Sequence, residues 1–583
     1  MAEKRDYTIS DLYQGGYSSL KPQYGDIFTG YRINPSTFGM TTDPRTANII
    51  QDASNKLNTG AKHIELSAVS PEVFESIPNQ QLKELNRLAK LTGVTVSVHG
   101  PIVEPSGLTR EGFSNANREM VERQMNSAVE RGYLVDPNGN VPITFHSSVM
   151  LPGEIPQKGK EMEETLVINT DSGSIAKIPL KESNFPGEEK KRDVKQELIR
   201  INEEQWNNQL RQLEYYAGMG GEAVSRSAAT AMIAEAEKQL GRPLTEEEKT
   251  MRAAYNRGTT FLNSSYNELK QVFDTIYNKT TENDRETISE FYKEIGRRAE
   301  KIKANPKNPE NAVMMKEIIE DGIETLKRLP TPQLYEDLND FSKEKTIETF
   351  SNVALNSYKK FGDKAPIISI ENPPAGGAFS RGEDLREIVE KAREKFVEKA
   401  KKEMGEQKAR EVAAKLIGVT WDVGHINMLR KYGYESADIV KESEKVAKLV
   451  KHVHLSDNFG FEHTELPMGM GNVPIKEILN KLGKEGFDAK KIIEAGNWWQ
   501  HMQKAPFKET LEAFGSPIYS MNMAPYWNQN VGFQQDYYNG LAGQWLPQIN
   551  YETFGTSFSR LPTELGGQRI GAEGSRMSGR GME

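Results

Sequence analysis

The sequence predicts an α/β protein: a (β/α)8 TIM barrel with a large, mostly helical insertion after strand four and a C-terminal extension. Three observations predict it. From about residue 36, short β-branched runs alternate with longer amphipathic helical patterns, the succession expected of parallel βα units. The runs are punctuated by residues that start and stop helices. Their ends repeatedly carry His, Asp or Glu, the place where barrels of this class keep catalytic side chains.

The elements follow in order. After a first strand at 38–41, Thr42-Asp43-Pro44 offers a cap with Pro in the first turn. Ala47, Ile50, Ala53 and Leu57 then keep a helical period, and Gly60 closes the segment. The same unit repeats as strand 62–66 with a helix ending near Gly93, and strand 94–99 with a helix ending at Gly132. The turn Asp136-Pro137-Asn138-Gly139 leads into strand 141–146. Strands at 366–371, 417–422, 450–456 and 491–494 complete eight.

Residues 147 to about 365 are far too many for one βα loop and helix, so a domain is inserted there. It opens with a hairpin, 165–169 and 174–179 around Asp171-Ser172-Gly173, and continues as charged helices. A helix carrying Phe341, Ile347, Phe350, Ala354 and Tyr358 returns as the barrel's fourth. The predicted segments are therefore an N-terminal extension (1–35), the first barrel half (36–146), the inserted hairpin and helical region (147–340), the second barrel half (341–502) and an aromatic, Gly-rich C-terminal extension (503–583). In that extension Tyr526, Trp527, Tyr537, Tyr538 and Trp545 are expected to pack on the barrel, and the Gly-rich end is expected to be disordered.

Composition bounds the chemistry. At 583 residues the chain exceeds what one hydrophobic core supports, and 36% hydrophobic with 27% charged residues describes a globular protein. A net charge of −8 excludes a global positive field for nucleic acid, so any phosphate binding is local. Lys190-Lys191-Arg192 and Arg297-Arg298 read as solvated faces. The absence of Cys excludes disulfides, thiolate metal sites and a cysteine nucleophile, and suits a reducing cytoplasm. With no apolar leader and no membrane-length apolar run, the expectation is a cytoplasmic protein without a membrane partner. Phosphate-loop, H-E-x-x-H and dinucleotide-binding motifs are missing.

Alternate residues of a barrel strand point inward and outward. Val96 and Val98 share one face of strand three, leaving Ser97 and His99 on the other. Strand four sets Ile143 and Phe145 against Thr144 and His146, and strand five sets Ile368 and Ile370 against Ser369 and Glu371. Strand six sets Val419 and Trp421 against Thr420 and Asp422, strand seven sets Val453 and Leu455 against His452 and His454, and Glu494 ends strand eight. The inward faces thus terminate in metal-capable groups, and burying them together is costly unless a cation neutralises them. Of eight His, five stand at strand ends or next to them: His99, His146, His425, His454 and His463. His452 sits one layer deeper, and His63 and His501 read as incidental. Imidazole and carboxylate ligands without thiolate suit Zn or Mn.

In order and strand placement, SVHGP, TFHSS, SIENPPAGG, WDVGHINM, HVHLSDN, LPMGMGNVP and IIEAGNWW resemble the xylose-isomerase-like TIM barrels. That superfamily includes endonuclease IV-type abasic-site nucleases and sugar isomerases or epimerases. The resemblance spans 62–146 and 366–500 and leaves out the insertion and the tail. The isomerase branch implies one divalent ion, Mn or another metal, on Glu371, Asp422, His454 and Glu494, with Glu371 or Glu494 as the proton-moving base and a small sugar as substrate. The nuclease branch implies up to three Zn ions hydrolysing a phosphodiester at an abasic DNA site. Glu371 and Glu494 would then be bridging catalytic carboxylates, His99 and His146 would complete one ion, and Asp422 with His454 the second. His425, His463 and Glu465 would hold the third, although His463-Thr464-Glu465 reverses the D-x-H order of that branch. His99 is followed by Gly100-Pro101-Ile102-Val103, without the aromatic wedge such nucleases insert into DNA. The insertion or the C-terminal extension could offer a surface for a protein partner.

Overall fold

The structure is a computed structural model that describes residues 38–510, apart from 47, 154, 161, 181–192, 236–242, 280–281, 306–307, 309, 497, 499–501, 503–504 and 508. The N-terminal extension, Ala47, Lys190-Lys191-Arg192, His501 and the tail aromatics Tyr526 to Trp545 lie outside the described residues. No helix among the described residues is long and apolar enough to cross a membrane.

The barrel strands are β1 Phe38–Thr41, β2 His63–Ser67, β3 Thr95–His99, β4 Pro142–His146, β5 Ile367–Glu371, β6 Ile417–Asp422, β7 Val450–Leu455 and β8 Lys490–Ile493. They close in sequence order, with β8 pairing back onto β1, and every neighbouring pair is parallel. Register sets the functional ends side by side. Ser67 stands beside His99, Glu371 beside His146, and Asp422 beside His454.

Alternation along the strands explains both layers. Val98, Ile143, Phe145, Ile368, Ile370, Val419, Trp421 and Val453 are buried, and the Trp421 indole N–H reaches Ser443 of helix Ser436–Val446 at 3.0 Å, which fixes that face as the one under the helices. The opposite face is polar. The Thr420 hydroxyl donates to Ser369 Oγ at 2.7 Å and meets Thr144 Oγ1 at 2.9 Å, an interior hydroxyl chain across β4, β5 and β6. Barrels of this class usually fill that space with branched apolar side chains.

Two expected helix ends differ. The first helix starts at Ile49, not behind Pro44, because the Asn48 side chain caps it by accepting from Gln51 N. Asp43 instead holds Arg45 through its backbone N–H and guanidinium, at 2.9 and 2.8 Å. The third helix, Asn115–Val135, runs through Gly132 without stopping. There glycine serves close packing: an added Cβ would lie 2.6 Å from Ile143 Cδ1 of β4. Gly93 does end its helix, in the left-handed conformation at φ 67°.

The described residues divide into two compact units, one of 111–113 with those of 162–341 and the other of those in 38–110, 114–161 and 342–510. The inserted unit contains the expected hairpin, Glu164–Asn169 with Ile175–Pro179. A third antiparallel strand, Tyr335–Asp337, which the sequence reading did not identify, pairs with the hairpin's first strand. Helices Val194–Glu235, Glu246–Lys279, Glu282–Ala304 and Glu310–Arg328 supply a core that includes Leu213, Leu262, Phe273, Ile288 and Ile319. Helix Leu338–Phe361 leads into β5, where the returning helix was expected.

Gly39 is the tightest point between β1 and β2, since a Cβ there would stand 2.4 Å from the His63 carbonyl oxygen. Backbone cannot yield as a side chain can, so Gly39→Ala is expected to destabilise the protein by ~1–3 kcal/mol. A denaturant melt reads this directly, and an unchanged midpoint would mean that the strand pair relaxes freely.

Candidate metal centre

Each strand end delivers one or two polar side chains to the barrel mouth. Glu371 of β5 is central and wholly buried. Its Oε2 lies 3.3 Å from His99 Nε2 and 3.2 Å from His146 Nε2, while its Oε1 lies 2.7 Å from His454 Nδ1. His454 Nδ1 is also 3.1 Å from Glu494 Oε1, just beyond the end of β8. Among the described residues four sets of donor atoms lie within 4.8 Å of one another, Glu65–His452–His454, His99–His454–Glu494, His99–His146–Glu371 and Glu371–Asp422–His454–Glu494, and the last two share Glu371.

Second partners fix how several of these groups face the mouth. Asp422 accepts from the His425 backbone N–H at 2.7 Å and from Ser456 Oγ at 3.2 Å, and its own N–H donates to Asn372 Oδ1 at 2.9 Å. Nδ1 of His99 faces the Gly100 carbonyl at 3.0 Å, and Nδ1 of His425 faces the Asn372 carbonyl at 2.7 Å. A carbonyl only accepts, so Nδ1 carries the proton in both rings and Nε2 turns its lone pair into the site.

The residues fit a cation on an observation independent of their types. Both oxygens of Glu371 and Nδ1 of His454 are buried without any hydrogen bond of acceptable geometry, although each has a polar neighbour close by. Donor atoms at these separations that do not point at one another point at shared space instead. Ligands about 2.1 Å from a tetrahedral Zn stand about 3.4 Å apart, close to three of the separations here, 3.1–3.3 Å, the fourth, Glu371 Oε1 to His454 Nδ1, being shorter at 2.7 Å.

Without a cation, charge on the carboxylates is balanced by protonated histidines, and only for some of them. Burial opposes ionisation of Glu494, but His454 outweighs it and holds the group at about 2. Burial pushes Asp422 well up, and Glu494 and Glu371 push it further. Burial lowers His146 to about 4 and, with His463, lowers His425 to about 3. His99 goes the other way: burial disfavours its charge, yet the Glu371 carboxylate 3.3 Å away lifts it to about 9.

The remaining expected ligands stand apart from this pair. His425 Nε2 is 2.9 Å from His463 Nε2, and His463 Nε2 is 3.9 Å from Glu465 Oε1. These three are not among the groups of the described residues whose donors all lie within 4.8 Å of one another. Glu465 has a positive φ of 46°, and burial together with Glu494 raises its carboxyl to about 7. His99, His146, His425, His463, Glu465 and Glu494 line a cavity of about 290 Å³ with Met40, Thr42, Lys56 and Ile102.

Glu65 was missed. It is wholly buried on the inward face of β2, 3.1 Å from His452 Nε2 and 3.3 Å from His454 Nε2. Alternation in His63-Glu65-Ser67 carries the signal, as it does in the other strands. His63 is not incidental either: its ring is buried between Thr95 Oγ1 at 2.7 Å and Ser97 Oγ at 3.0 Å. His452 packs in the deeper layer as expected.

Comparison with known proteins agrees with the fold. A family described as "Xylose isomerase-like TIM barrel" matches residues 317–515, and with the closed parallel barrel it supports the xylose-isomerase-like TIM-barrel superfamily. An uncharacterized protein, MJ1311, of Methanocaldococcus jannaschii is 32% identical over 110 residues, covering 19% of this chain and 36% of that relative's length. The crystal structure of a D-tagatose 3-epimerase-like protein aligns with 82% of this chain and 96% of its own, at 14% identity and a TM-score of 0.37.

The His99–Glu371 pair gives a pH signature. A histidine raised from 6.5 to about 9 on folding stabilises fully below pH 6.5 and loses that contribution as pH climbs through about 9. Chelator-treated protein should therefore melt at progressively lower temperature over that window, while protein saturated with Zn, having no proton on His99 Nε2 to lose, should hold steadier. Parallel melting curves would contradict this picture of the site.

Proposed function

We propose that the chain is a metal-dependent hydrolase that cleaves the phosphodiester backbone at abasic sites in DNA. One observation carries the reading: His99 and His146 converge on the same Glu371 that belongs to the four-residue group, one carboxylate oxygen facing each set. A single-ion isomerase has no need of the additional histidine pair. Divalent cations, when bound, supply an activated water and neutralise charge on phosphate oxygens.

The chain's own residues do the rest. Glu371 spans both groups. Asn372 holds the Asp422 backbone N–H, and Ser456 and the His425 N–H hold its carboxylate mainly through Oδ1, leaving Oδ2, 3.5 Å from Ser456 Oγ, the less engaged oxygen. Glu494 borders the cavity and is the second carboxylate of the reading. A cavity of about 290 Å³ is small enough to favour a deoxyribose phosphate without its base, and such a nucleotide is the cheapest to extrude, having no base to unstack. His425, His463 and Glu465 are assigned to a third cation. The cysteine-free composition suits action in the cytoplasm.

A second reading, a sugar isomerase or epimerase, is favoured by the self-sufficiency of Glu371, Asp422, His454 and Glu494 as a one-ion site and by the exposed Ile102 where a DNA wedge would be aromatic. There Glu371 or Glu494 moves the proton beside a carbonyl. His146→Ala separates the two. The hydrolase reading expects this variant to lose about one metal equivalent and nicking of abasic duplex to fall about 100-fold or more. Intact abasic DNA with the metal-loaded wild type, alongside sugar isomerisation that survives His146→Ala, would replace it with the second reading.

A further inference from the structure

His454 lies between two acidic surroundings. Its Nδ1 edge faces Glu371 and Glu494, and its Nε2 edge faces Glu65 Oε1 at 3.3 Å. Glu65 is not at the mouth with the other carboxylates. It comes from β2 and is surrounded by buried groups: Ser97 Oγ donates to its Oε2 at 2.8 Å, and His452 Nε2 approaches the same oxygen at 3.1 Å. Its Oε1 and the His454 Nε2 3.3 Å from it are both fully buried, and neither makes any hydrogen bond of good geometry.

The protons can be placed by elimination. Ser97 gives its only hydrogen to Glu65, so the Ser97 oxygen accepts from His63 Nε2–H, and His63 Nδ1 then accepts from the Thr95 hydroxyl. An ionised carboxylate only accepts, so the His452 nitrogen bonded to it carries a proton, and the Glu65 charge 3.3 Å away favours a proton on Nε2 of His454 as well. With Ser97 and His452 donating to one oxygen and His454 Nε2 3.3 Å from the other, the Glu65 carboxylate is stable as an anion, although Glu65, His452 and His454 also stand close enough together to hold a cation. It also dictates one tautomer of His454, with the proton on Nε2 and the lone pair on Nδ1.

We infer that Glu65, held by Ser97 and His452, is a positioning residue that locks the His454 ring and tautomer so that Nδ1 faces the metal centre. This rests on reading the mouth as a metal centre. Carboxylate partners of this kind orient ligating histidines and raise their basicity, and their loss typically weakens metal binding about 10–100-fold.

The test is metal titration of the full-length protein with Zn alone, combined with 15N-histidine NMR of the loaded form. Wild type should show His454 as the Nε2–H tautomer with Nδ1 bound. Glu65→Gln, which keeps the volume but brings a competing donor, should weaken the affinity about 10–100-fold at an unchanged number of equivalents and scramble that tautomer. Should Glu65→Gln fail to fold, Ser97→Ala leaves the carboxylate but loosens it, and should produce a smaller weakening with the same NMR signature. Unchanged affinity and tautomer in the folded variant would overturn the inference. So would loss of one whole equivalent at unaltered affinity elsewhere, since Glu65 would then be a ligand. Wild type that takes up no Zn would instead bring down the reading of the metal centre.

Discussion

Everything at the barrel mouth depends on one electrostatic constraint: Glu65, Glu371 and Asp422 are wholly buried beside imidazoles in a space with too few hydrogen-bond donors to satisfy them. An ionised carboxylate removed from water costs several kcal/mol unless something positive or protic replaces its hydration. Glu65 has such replacement in Ser97 and His452, and Asp422 has it in part from Ser456 and the His425 N–H. Glu371 has none of hydrogen-bond quality. The arrangement is intelligible as a set of ligands oriented for cations.

The barrel is built to tolerate that demand. Its interior is layered with hydroxyls and imidazoles, from the Thr144–Thr420–Ser369 chain to the His63–Ser97–Glu65 chain. The apolar work is transferred outward, to residues such as Ile370, Val419 and Trp421 under the helices. Stability and site chemistry are therefore divided by strand parity, with the carboxylate side chains held on rigid strands where their separations are set by register.

Parity is also why so much was legible in the sequence. Eight strands, their order and the inward placement of His99, His146, Glu371, Asp422 and His454 follow from period-two patterns bounded by helical ones. Glu65 escapes because strand two, expected at 62–66, is not sorted by sequence into its two faces. The cap at Asn48 and the passage of a helix through Gly132 turn on local side-chain bonds and on a close contact with Ile143, neither of which a single sequence displays. Tyr335–Asp337 is only three residues long and pairs with a strand more than 160 positions earlier, so no local pattern marks it. His425 and His463 do face each other, yet the separation of Glu465 from them depends on loop conformation.

The most direct measurement is anomalous X-ray diffraction from crystals of the metal-loaded protein, which locates each ion without reference to activity. The account predicts one peak among His99 Nε2, His146 Nε2 and Glu371 Oε2, and a second among Glu371 Oε1, Asp422, His454 Nδ1 and Glu494. A third peak beside His425, His463 and Glu465 would accord with the hydrolase reading; peaks away from all three sets, or a mouth that stays free of metal at saturating concentration with Glu371 protonated, would contradict it.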